Sequence, residues 1–260
     1  MNTLELFLTI FFAVAGAAVG SFLNVCISRL PEGLSIVSPR SRCPGCLHTI
    51  RYYDNIPLIS YLVLGGRCRD CHEKISLKYP TVEFITALFA LFLFWKYGLT
   101  LKYAVSFIFV CALIVITFID LDHQIIPDLI TLPGIPLCWL GAVFVMEVTW
   151  QAATWGLLIG GGCLYAVAAG YELMTKREGM GGGDIKLLAM LGAFLGWQSL
   201  LFILLVSSLA GAVVGIAIMI VKGRDMKYAV PFGPFLSIAA IAYMFFGPYA
   251  VDLFLAYSRF

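Results

Sequence analysis

Long apolar segments constrain this chain more than any other feature of its sequence. A hydrocarbon core about 30 Å thick is crossed by roughly 20 apolar residues in helical form. Such segments occur at residues 6–28, 82–95, 103–119, 129–148, 155–173, 185–198, 200–221 and 231–257, the second and sixth being short. The chain is only 12% charged, against about 25% in a soluble domain. We therefore expect an all-α polytopic protein of about eight transmembrane helices in a lipid bilayer.

The distribution of lysine and arginine predicts how these helices are oriented. Basic residues cluster in the 29–79 segment and in the connections after the fifth and seventh apolar segments. Lys96, Lys102 and Arg259 would lie on the opposite side. Because cytoplasmic loops are enriched in basic residues, we expect the long loop in the cytoplasm and both termini outside it. The net charge of +2 is too small to indicate nucleic acid binding.

Three regions follow from this pattern. Residues 1–28 form the first transmembrane helix, residues 29–80 a cytoplasmic loop, and residues 81–260 a membrane domain with seven helices. The first segment carries Glu5 where a secretory signal peptide would be basic, and no cleavage site follows it. We therefore expect it to be a membrane helix. Gly16 and Gly20 have the spacing that favours close helix packing.

The loop carries a metal-ligand pattern. It contains two Cys-x-x-Cys pairs separated by 21 residues, Cys43 with Cys46 and Cys68 with Cys71. This spacing is typical of a four-thiolate zinc ribbon, and bound Zn²⁺ would stabilise a segment with too small a core of its own. Two disulfides are the alternative, which a reducing cytoplasm disfavours. His48 and His72 could replace a thiolate or be ordinary surface residues.

Two aspartates stand at the ends of apolar segments, on the side predicted to be cytoplasmic. Asp120 follows the third segment, and Asp184 follows three glycines and precedes the sixth. A charged group at membrane depth is costly and by default indicates function. If the two carboxylates face each other, one can activate a water while the other protonates a leaving amine. Gly181 and Gly183 would let an extended peptide approach the backbone closely.

The aspartates and cysteines could also serve structural or transport roles. Asp184 or Asp128 could cap a helix, and Asp120 could lie in the headgroup region without a function. Asp122, two residues from Asp120, would point to a different helix face. A secondary transporter could use the acids as proton relays, although that predicts acids in mid-helix and repeat symmetry. A non-catalytic zinc-ribbon assembly factor would need the cysteines and tolerate loss of the aspartates.

A series of motifs in order identifies a family. They are GSFLNV at 20–25, RSRCPGC at 40–46, DNIP at 54–57, SYL at 60–62, the second cysteine pair, YP at 79–80, VE at 82–83, IDLD at 119–122, IPD at 126–128 and GGGDIK at 181–186. With them the chain resembles the type IV prepilin peptidases, which are membrane aspartic proteases of the GxGD type. Presenilin-like proteins share GxGD, but the IDLD context and the cysteine loop do not suit them.

The resemblance implies a specific activity. Family members cut the short basic leader from prepilins and from pseudopilins of type II secretion, at the cytoplasmic face of the bacterial inner membrane. Asp120 and Asp184 correspond to the catalytic pair. Many members with the cysteine loop also methylate the new N-terminus, usually a phenylalanine, with S-adenosylmethionine. The chain is therefore expected to be bifunctional, with the loop contributing to methyl transfer.

The residues that hold S-adenosylmethionine are not identified by any motif. No dinucleotide-type GxGxxG sequence follows a strand. Asn24 and Glu83, at the membrane borders of the loop, could help to form its pocket or could simply make hydrogen bonds there. Glu32 or Asp54 could bind the positive charge of the leader. The sequence leaves open the oligomeric state and which pilins are cut.

Overall fold

The computed structural model describes residues 2–175, 181–222 and 230–257. Within them the fold is helical and contains isolated β-bridges but no strand. The helices are α1 (Thr3–Arg29), α2 (Ile59–Val63), α3 (Lys78–Tyr97), α4 (Leu101–His123), α5 (Asp128–Phe144), α6 (Trp150–Thr175), α7 (Gly182–Leu195), α8 (Gln198–Lys222) and α9 (Gly233–Tyr257), with a 3-10 turn at Tyr52–Asn55. Every predicted apolar segment is a helix, which confirms the all-α class.

The apolar helices differ in length. In the described part of the chain, α1, α3, α4, α6 and α8 are long and apolar enough to cross a bilayer. Helices α5 and α7 have 17 and 14 residues, fewer than the roughly 20 that a full crossing needs. Within α9, the part with described side chains, Gly233–Gly247, is a further short apolar helix. The chain is therefore a polytopic membrane protein with both long and short apolar helices.

Helix α7 can be short because protein surrounds it. All of its residues from Leu187 to Phe194 are buried, and it contacts α5, α6, α8 and α9. The contact with α6 is close enough for backbone to meet backbone at Gly156 and Gly192. Glycine has no side chain to keep the two helices apart. The neighbouring helices therefore fix the position of α7 and of the residues in its first turn.

The helices form two compact units, Met1–Val115 and Ile116–Phe260, with the division inside α4. In the first unit α1 packs along α3. A Cβ on Gly16 would lie 2.6 Å from the Cβ of Ala90, and one on Gly20 would lie 2.7 Å from the Cα of Glu83. Only glycine fits at such distances, so the predicted role of these two residues in helix packing is confirmed. The predicted domain boundary at residue 81 stays a prediction.

The segment between α1 and α3 is organised by two similar turns. In the first, the Cys43 amide donates to the His48 carbonyl at 3.0 Å, and the Leu47 amide donates to the Cys43 carbonyl at 2.9 Å. The second repeats both bonds, from Cys68 to Glu73 at 2.8 Å and from His72 to Cys68 at 3.0 Å. Leu47 and His72 both have left-handed backbone, with φ of 59° and 58°. The two cysteine pairs thus share one local conformation.

Part of the predicted orientation rests on residues that are not described. The basic connections at 176–177 and 224–227, and Arg259, lie outside the described residues. The basic residues of the loop between α1 and α3 are described, and this loop is the only long polar segment among the described ones. The side of the membrane on which it lies stays a prediction from the charge pattern.

Candidate functional site

Asp120 lies near the end of α4 with a buried side chain. The residue is 5% exposed, and its Oδ2 accepts a hydrogen bond of 3.0 Å from the backbone N–H of Gly233, where α9 begins. A Cβ on Gly233 would lie 2.7 Å from the same oxygen, so only glycine leaves room for this contact. Asp122 is exposed. The expectation that these two aspartates of α4 point to different faces is confirmed.

Asp184 lies in the first turn of α7 and does not cap it. The cap is Gly181, whose carbonyl accepts the Asp184 amide at 3.2 Å. The side-chain Oδ1 of Asp184 is buried and has no hydrogen-bond partner in the described structure. The Asp120 carboxylate is near enough to interact with it electrostatically. The capping role considered for Asp184 is therefore wrong, and the fold brings the two aspartates together.

This arrangement has definite chemical consequences. Two carboxylates that interact electrostatically ionise together less readily than either does alone, so such a pair favours a state with one proton. Buried polar atoms in folded proteins almost always have a hydrogen-bond partner, and an exception calls for an explanation such as a catalytic role, a bound water or an ion. The Asp120 carboxylate is held by a backbone amide, while an oxygen of Asp184 is unpaired. The pair can therefore accept a proton at one carboxyl and donate one from the other.

The two glycines expected to contact a substrate differ in their surroundings. No described heavy atom lies within 4 Å of the position that a Cβ on Gly181 would take. A Cβ on Gly183 would instead lie 2.8 Å from the Cβ of Ile126. The Ile126 side chain also approaches Gly233, where a Cβ would lie 3.2 Å from its Cδ1. Gly183 is thus needed for packing beside the aspartates, whereas a Cβ on Gly181 would meet none of the described residues.

Asp128 is an ion-pair partner and not a helix cap. The cap of α5 is Pro127, and both carboxylate oxygens of Asp128 accept hydrogen bonds from the Lys186 ammonium, at 2.7 and 2.8 Å. This pair ties the start of α5 to the first turn of α7. The two residues are 58 positions apart, and opposite charges at two helix starts were the only sequence signal for the contact. The Asp128 side chain is 55% exposed and that of Lys186 is 36% exposed, so solvent screens the pair and it contributes little stability.

The four loop cysteines form one cluster. All four sulfur atoms lie within 4.8 Å of one another. The Sγ atoms of Cys43 and Cys71 are 3.7 Å apart, and those of Cys46 and Cys68 are 4.0 Å apart. Four sulfurs at 2.3 Å from one tetrahedral zinc ion would be separated by about 3.8 Å. The cysteines are free thiols, so the cluster fits a metal ion and the disulfide alternative finds no support.

The thiols of this cluster differ in their readiness to ionise. Backbone hydrogen bonds from Cys71 and Asp70 lower the pKa of the Cys68 thiol to about 7. The Glu73 amide lowers the pKa of Cys71, but desolvation and the neighbouring thiols outweigh it and raise that pKa to about 12. Four thiolates this close repel one another unless a cation lies between them, and a divalent metal supplies that charge.

The two histidines next to the cysteine pairs, His48 and His72, differ in their distance from possible metal ligands. A nitrogen of His48 lies within 4.8 Å of Cys46 and Asp70, while His72 joins no candidate metal cluster among the described residues.

Asp54 is already bound by Arg69, whose guanidinium donates to both carboxylate oxygens at 2.6 to 3.1 Å. This contact holds the pKa of Asp54 below its ordinary value. Asp54 is therefore an internal partner within the loop, and its expected contact with a leader is not supported.

Comparison with known proteins gives the affiliation of the chain. Residues 14–97 match the bacterial peptidase A24 N-terminal domain, and residues 107–216 match the type IV leader peptidase family. The prepilin leader peptidase/N-methyltransferase of Pseudomonas aeruginosa is 38% identical over 94% of this chain and 92% of its own length. The proteins of the same name from Legionella pneumophila and Aeromonas hydrophila are 36% and 40% identical, over 92% and 85% of this chain and 92% and 84% of theirs. The chain belongs to the type IV leader peptidase family. No solved structure matches it.

The two family matches contain different candidate site residues. The match to the N-terminal domain contains the cysteine cluster, together with Asn24 and Glu83. The match to the leader peptidase family contains both Asp120 and Asp184. Gly233 lies beyond it, and sequence reasoning did not find it because a backbone amide carries no residue-type signal. The only hint was its place between Pro231 and Pro234, where a helix begins.

A cavity lies in the first compact unit of the chain. Its volume is about 490 Å³, within the range of small-molecule sites. The end of α1, the start of α3 and the cysteine loop surround it. Asn24, Glu83, Cys43 and Cys68 are among the residues that line it. Asn24 and Glu83, which the sequence placed at the borders of the loop, thus face a space large enough for a ligand.

Proposed function

We propose that this chain cleaves the basic leader from prepilins and then methylates the N-terminal residue that cleavage exposes. Membership of the type IV leader peptidase family supports this function, as do relatives named prepilin leader peptidase/N-methyltransferase. The observation that carries the peptidase part is the meeting of Asp120 and Asp184, with an amide on the first and an unpaired oxygen on the second.

Asp120 and Asp184 form the catalytic dyad in this proposal. One carboxylate takes a proton from a water molecule, which attacks the scissile carbonyl carbon. The other carboxyl group donates a proton to the departing nitrogen, so the C–N bond breaks and the dyad again holds one proton. The Gly233 amide orients Asp120 for this step, and Gly181, whose Cβ position none of the described residues approaches, admits the backbone of an extended peptide.

The setting of the reaction follows from the charge pattern. Lysine and arginine are concentrated in the loop between α1 and α3, which favours a cytoplasmic location for that loop in a bacterial inner membrane. The same charge pattern predicts that Asp120 and Asp184 lie at the cytoplasmic ends of their helices. A leader remains on that side when the apolar helix of its prepilin is in the bilayer. Pseudopilins of type II secretion have the same design and are proposed as substrates too.

The cysteine cluster is proposed to hold a structural zinc ion. The sulfur atoms of Cys43 and Cys71 are 3.7 Å apart and those of Cys46 and Cys68 are 4.0 Å apart, which suits tetrahedral thiolate coordination. Closed four-thiolate sites have no open position for a substrate, so the ion would stabilise the loop and take no part in either reaction. The two matching turns, each with a left-handed residue after its second cysteine, support this assignment.

S-adenosylmethionine is proposed as the methyl donor, bound in the cavity of the first unit. When bound, it would supply an electrophilic sulfonium methyl group for the new N-terminal amine. The cavity of about 490 Å³ is large enough for a ligand of this size. It is lined by the cysteine turns as well as by helix residues, so the loop would contribute to methyl transfer.

Leader cleavage in membranes tests the dyad. Asp120→Asn and Asp184→Asn should each reduce cleavage by at least about a thousandfold, because neither amide can exchange the required proton. Asp122→Asn and Asp128→Asn are matched controls, since they make the same change at exposed carboxylates nearby, and should retain most activity. Expression is compared by immunoblot.

Survival of cleavage in either dyad variant would contradict the aspartic mechanism. A variant of Asp122 as inactive as the dyad variants would mean that the wrong carboxylate of α4 had been chosen. In both cases a non-peptidase role for the acids, such as proton relay, would account for them better.

A further inference from the structure

Asn24 is a buried amide with one unused acceptor. The residue is 5% exposed and lines the cavity of the first unit. Its Nδ2 donates to the carbonyl of Tyr79 at 3.0 Å, which fixes the amide. Its Oδ1 is buried and has no hydrogen-bond partner among the described residues. Such an atom costs free energy unless a ligand donates to it.

Glu83 adds a negative charge to the same wall of the cavity. Tyr79 and Glu83 are one turn apart on α3, and Asn24 contacts that turn through the Tyr79 carbonyl. The known partners of the Glu83 carboxylate are neutral, namely the Leu58 amide at 2.8 Å and the Ser21 hydroxyl.

Two other carboxylates that line the cavity, Asp54 and Asp70, each have an arginine beside them. Asp54 pairs with Arg69 at 2.6 Å, and Asp70 lies 3.8 Å from Arg51. Glu83 therefore presents a charge that these arginines do not neutralise. With the free Oδ1 of Asn24, it makes an acceptor pair suited to a ligand with several N–H donors and a positive charge.

We propose that Asn24 and Glu83 bind the N-terminal ammonium of the cleaved pilin, and so hold the nitrogen that receives the methyl group. This inference rests on the proposed function. An ammonium has three N–H donors and one positive charge, which match these two acceptors. Before methylation the bound ammonium gives one proton to the Glu83 carboxylate, because only the neutral amine has the lone pair that forms the new N–C bond as the C–S bond of the donor breaks.

The position of the two residues decides between the pilin amine and the methyl donor. Asn24 lies five residues before the end of α1, and Glu83 lies five residues after the start of α3. Both are therefore about 7.5 Å inside apolar helices, at the membrane border of the cavity. A cleaved pilin presents its amine there, because its N-terminal segment is the apolar helix that lies in the bilayer. The other wall is the polar loop, which suits a water-soluble donor.

Binding without any methyl donor tests the proposal directly. The full chain in lipid nanodiscs is given a mature, unmethylated pilin or the same pilin acetylated at its N-terminus. We expect the wild type to prefer the free amine by at least about tenfold. Glu83→Gln should reduce this preference to less than about threefold. The glutamine side chain can still accept the Leu58 amide, so the fold is maintained. Glu172→Gln removes an exposed charge elsewhere and should keep the wild-type preference.

A second measurement separates an amine site from a donor site and from a structural role. In Glu83→Gln the KM for mature pilin in methylation should rise at least about tenfold, while the affinity for S-adenosylhomocysteine and the rate of leader cleavage stay within about twofold of wild type. A loss of S-adenosylhomocysteine affinity with an unchanged preference for the free amine would assign this end of the cavity to the donor and overturn the proposal. Equal loss of cleavage and methylation would also overturn it. If the wild type did not methylate mature pilin at all, the proposed function itself would fail.

Discussion

Gly233→Ala is the substitution that tests the dyad most sharply without touching an aspartate. The Gly233 amide donates to Oδ2 of Asp120 at 3.0 Å. An added Cβ would lie 2.7 Å from that oxygen, 3.3 Å from the Asp120 Cγ and 3.2 Å from the Cδ1 of Ile126. The aliphatic neighbour can rotate away, but the carboxylate can only move out of its hydrogen bond. The substitution therefore acts on the position of Asp120.

The size of the effect can be worked from these contacts. A hydrogen bond to a charged group contributes about 1.5–3 kcal/mol, which corresponds to roughly a 10- to 150-fold change in rate. The carboxylate must also shift by about half an ångström to reach ordinary contact distance, and displacement of a catalytic group by about 1 Å can cost a further hundredfold. We expect Gly233→Ala to reduce leader cleavage by about 10²- to 10³-fold.

The assay is single-turnover cleavage of a prepilin in membranes, with methylation of pre-cleaved pilin measured on the same samples. Gly215→Ala is the control, because no described atom lies within 4 Å of the added Cβ and alanine favours the helix there. Gly233→Ala should lose cleavage and keep methylation, since it alters the second unit only. Cleavage within threefold of wild type would show that the amide does not position Asp120.

Two further predictions concern the loop. A chelator that removes the metal, or the substitution Cys46→Ser, should lower the zinc content from one ion per chain to none and expose the 29–80 loop to trypsin. The rate of prepilin cleavage should stay within about threefold of wild type. A wild-type chain that contained no zinc would contradict this prediction. Because Arg69 holds the pKa of Asp54 below its ordinary value, their contact is intact above about pH 4 and is lost as the pH falls further. At neutral pH the amide hydrogens of the wild-type loop should therefore exchange more slowly than those of Asp54→Asn, and in acid this difference should disappear. A difference that grew on acidification would refute the Asp54–Arg69 contact as its cause.

Much of the fold could be predicted because its signals are local. A run of apolar residues specifies a membrane helix through its own composition, so all the apolar segments were located. The two cysteine pairs have a spacing that sets a tight turn around each pair, and the structure confirms one cluster of four. Length was harder to predict, since α7 is internal and its boundaries depend on its neighbours.

The contacts that complete each site could not be predicted because they join distant residues through groups without a sequence signal. Gly233 and Asp120 are 113 positions apart, and the donor is a backbone amide that any residue but proline possesses. Asp128 had the residue type and position of a helix cap, but Lys186 competes for its carboxylate across 58 positions. In both cases tertiary contact overrides the local preference that a sequence pattern expresses.

The distribution of these residues also accounts for how two reactions can follow in order without a coupling device. The residues proposed for cleavage lie in the second compact unit, and the cavity and cysteine cluster lie in the first. The amine that would accept a methyl group is tied up in a peptide bond until the leader is cut, and an amide nitrogen is a poor nucleophile for a sulfonium methyl group. The substrate thus imposes the sequence of events, because an uncut prepilin has no ammonium to offer to Asn24 and Glu83. If Asn24 and Glu83 bind only the free amine, methylation in the first unit follows cleavage without any further control.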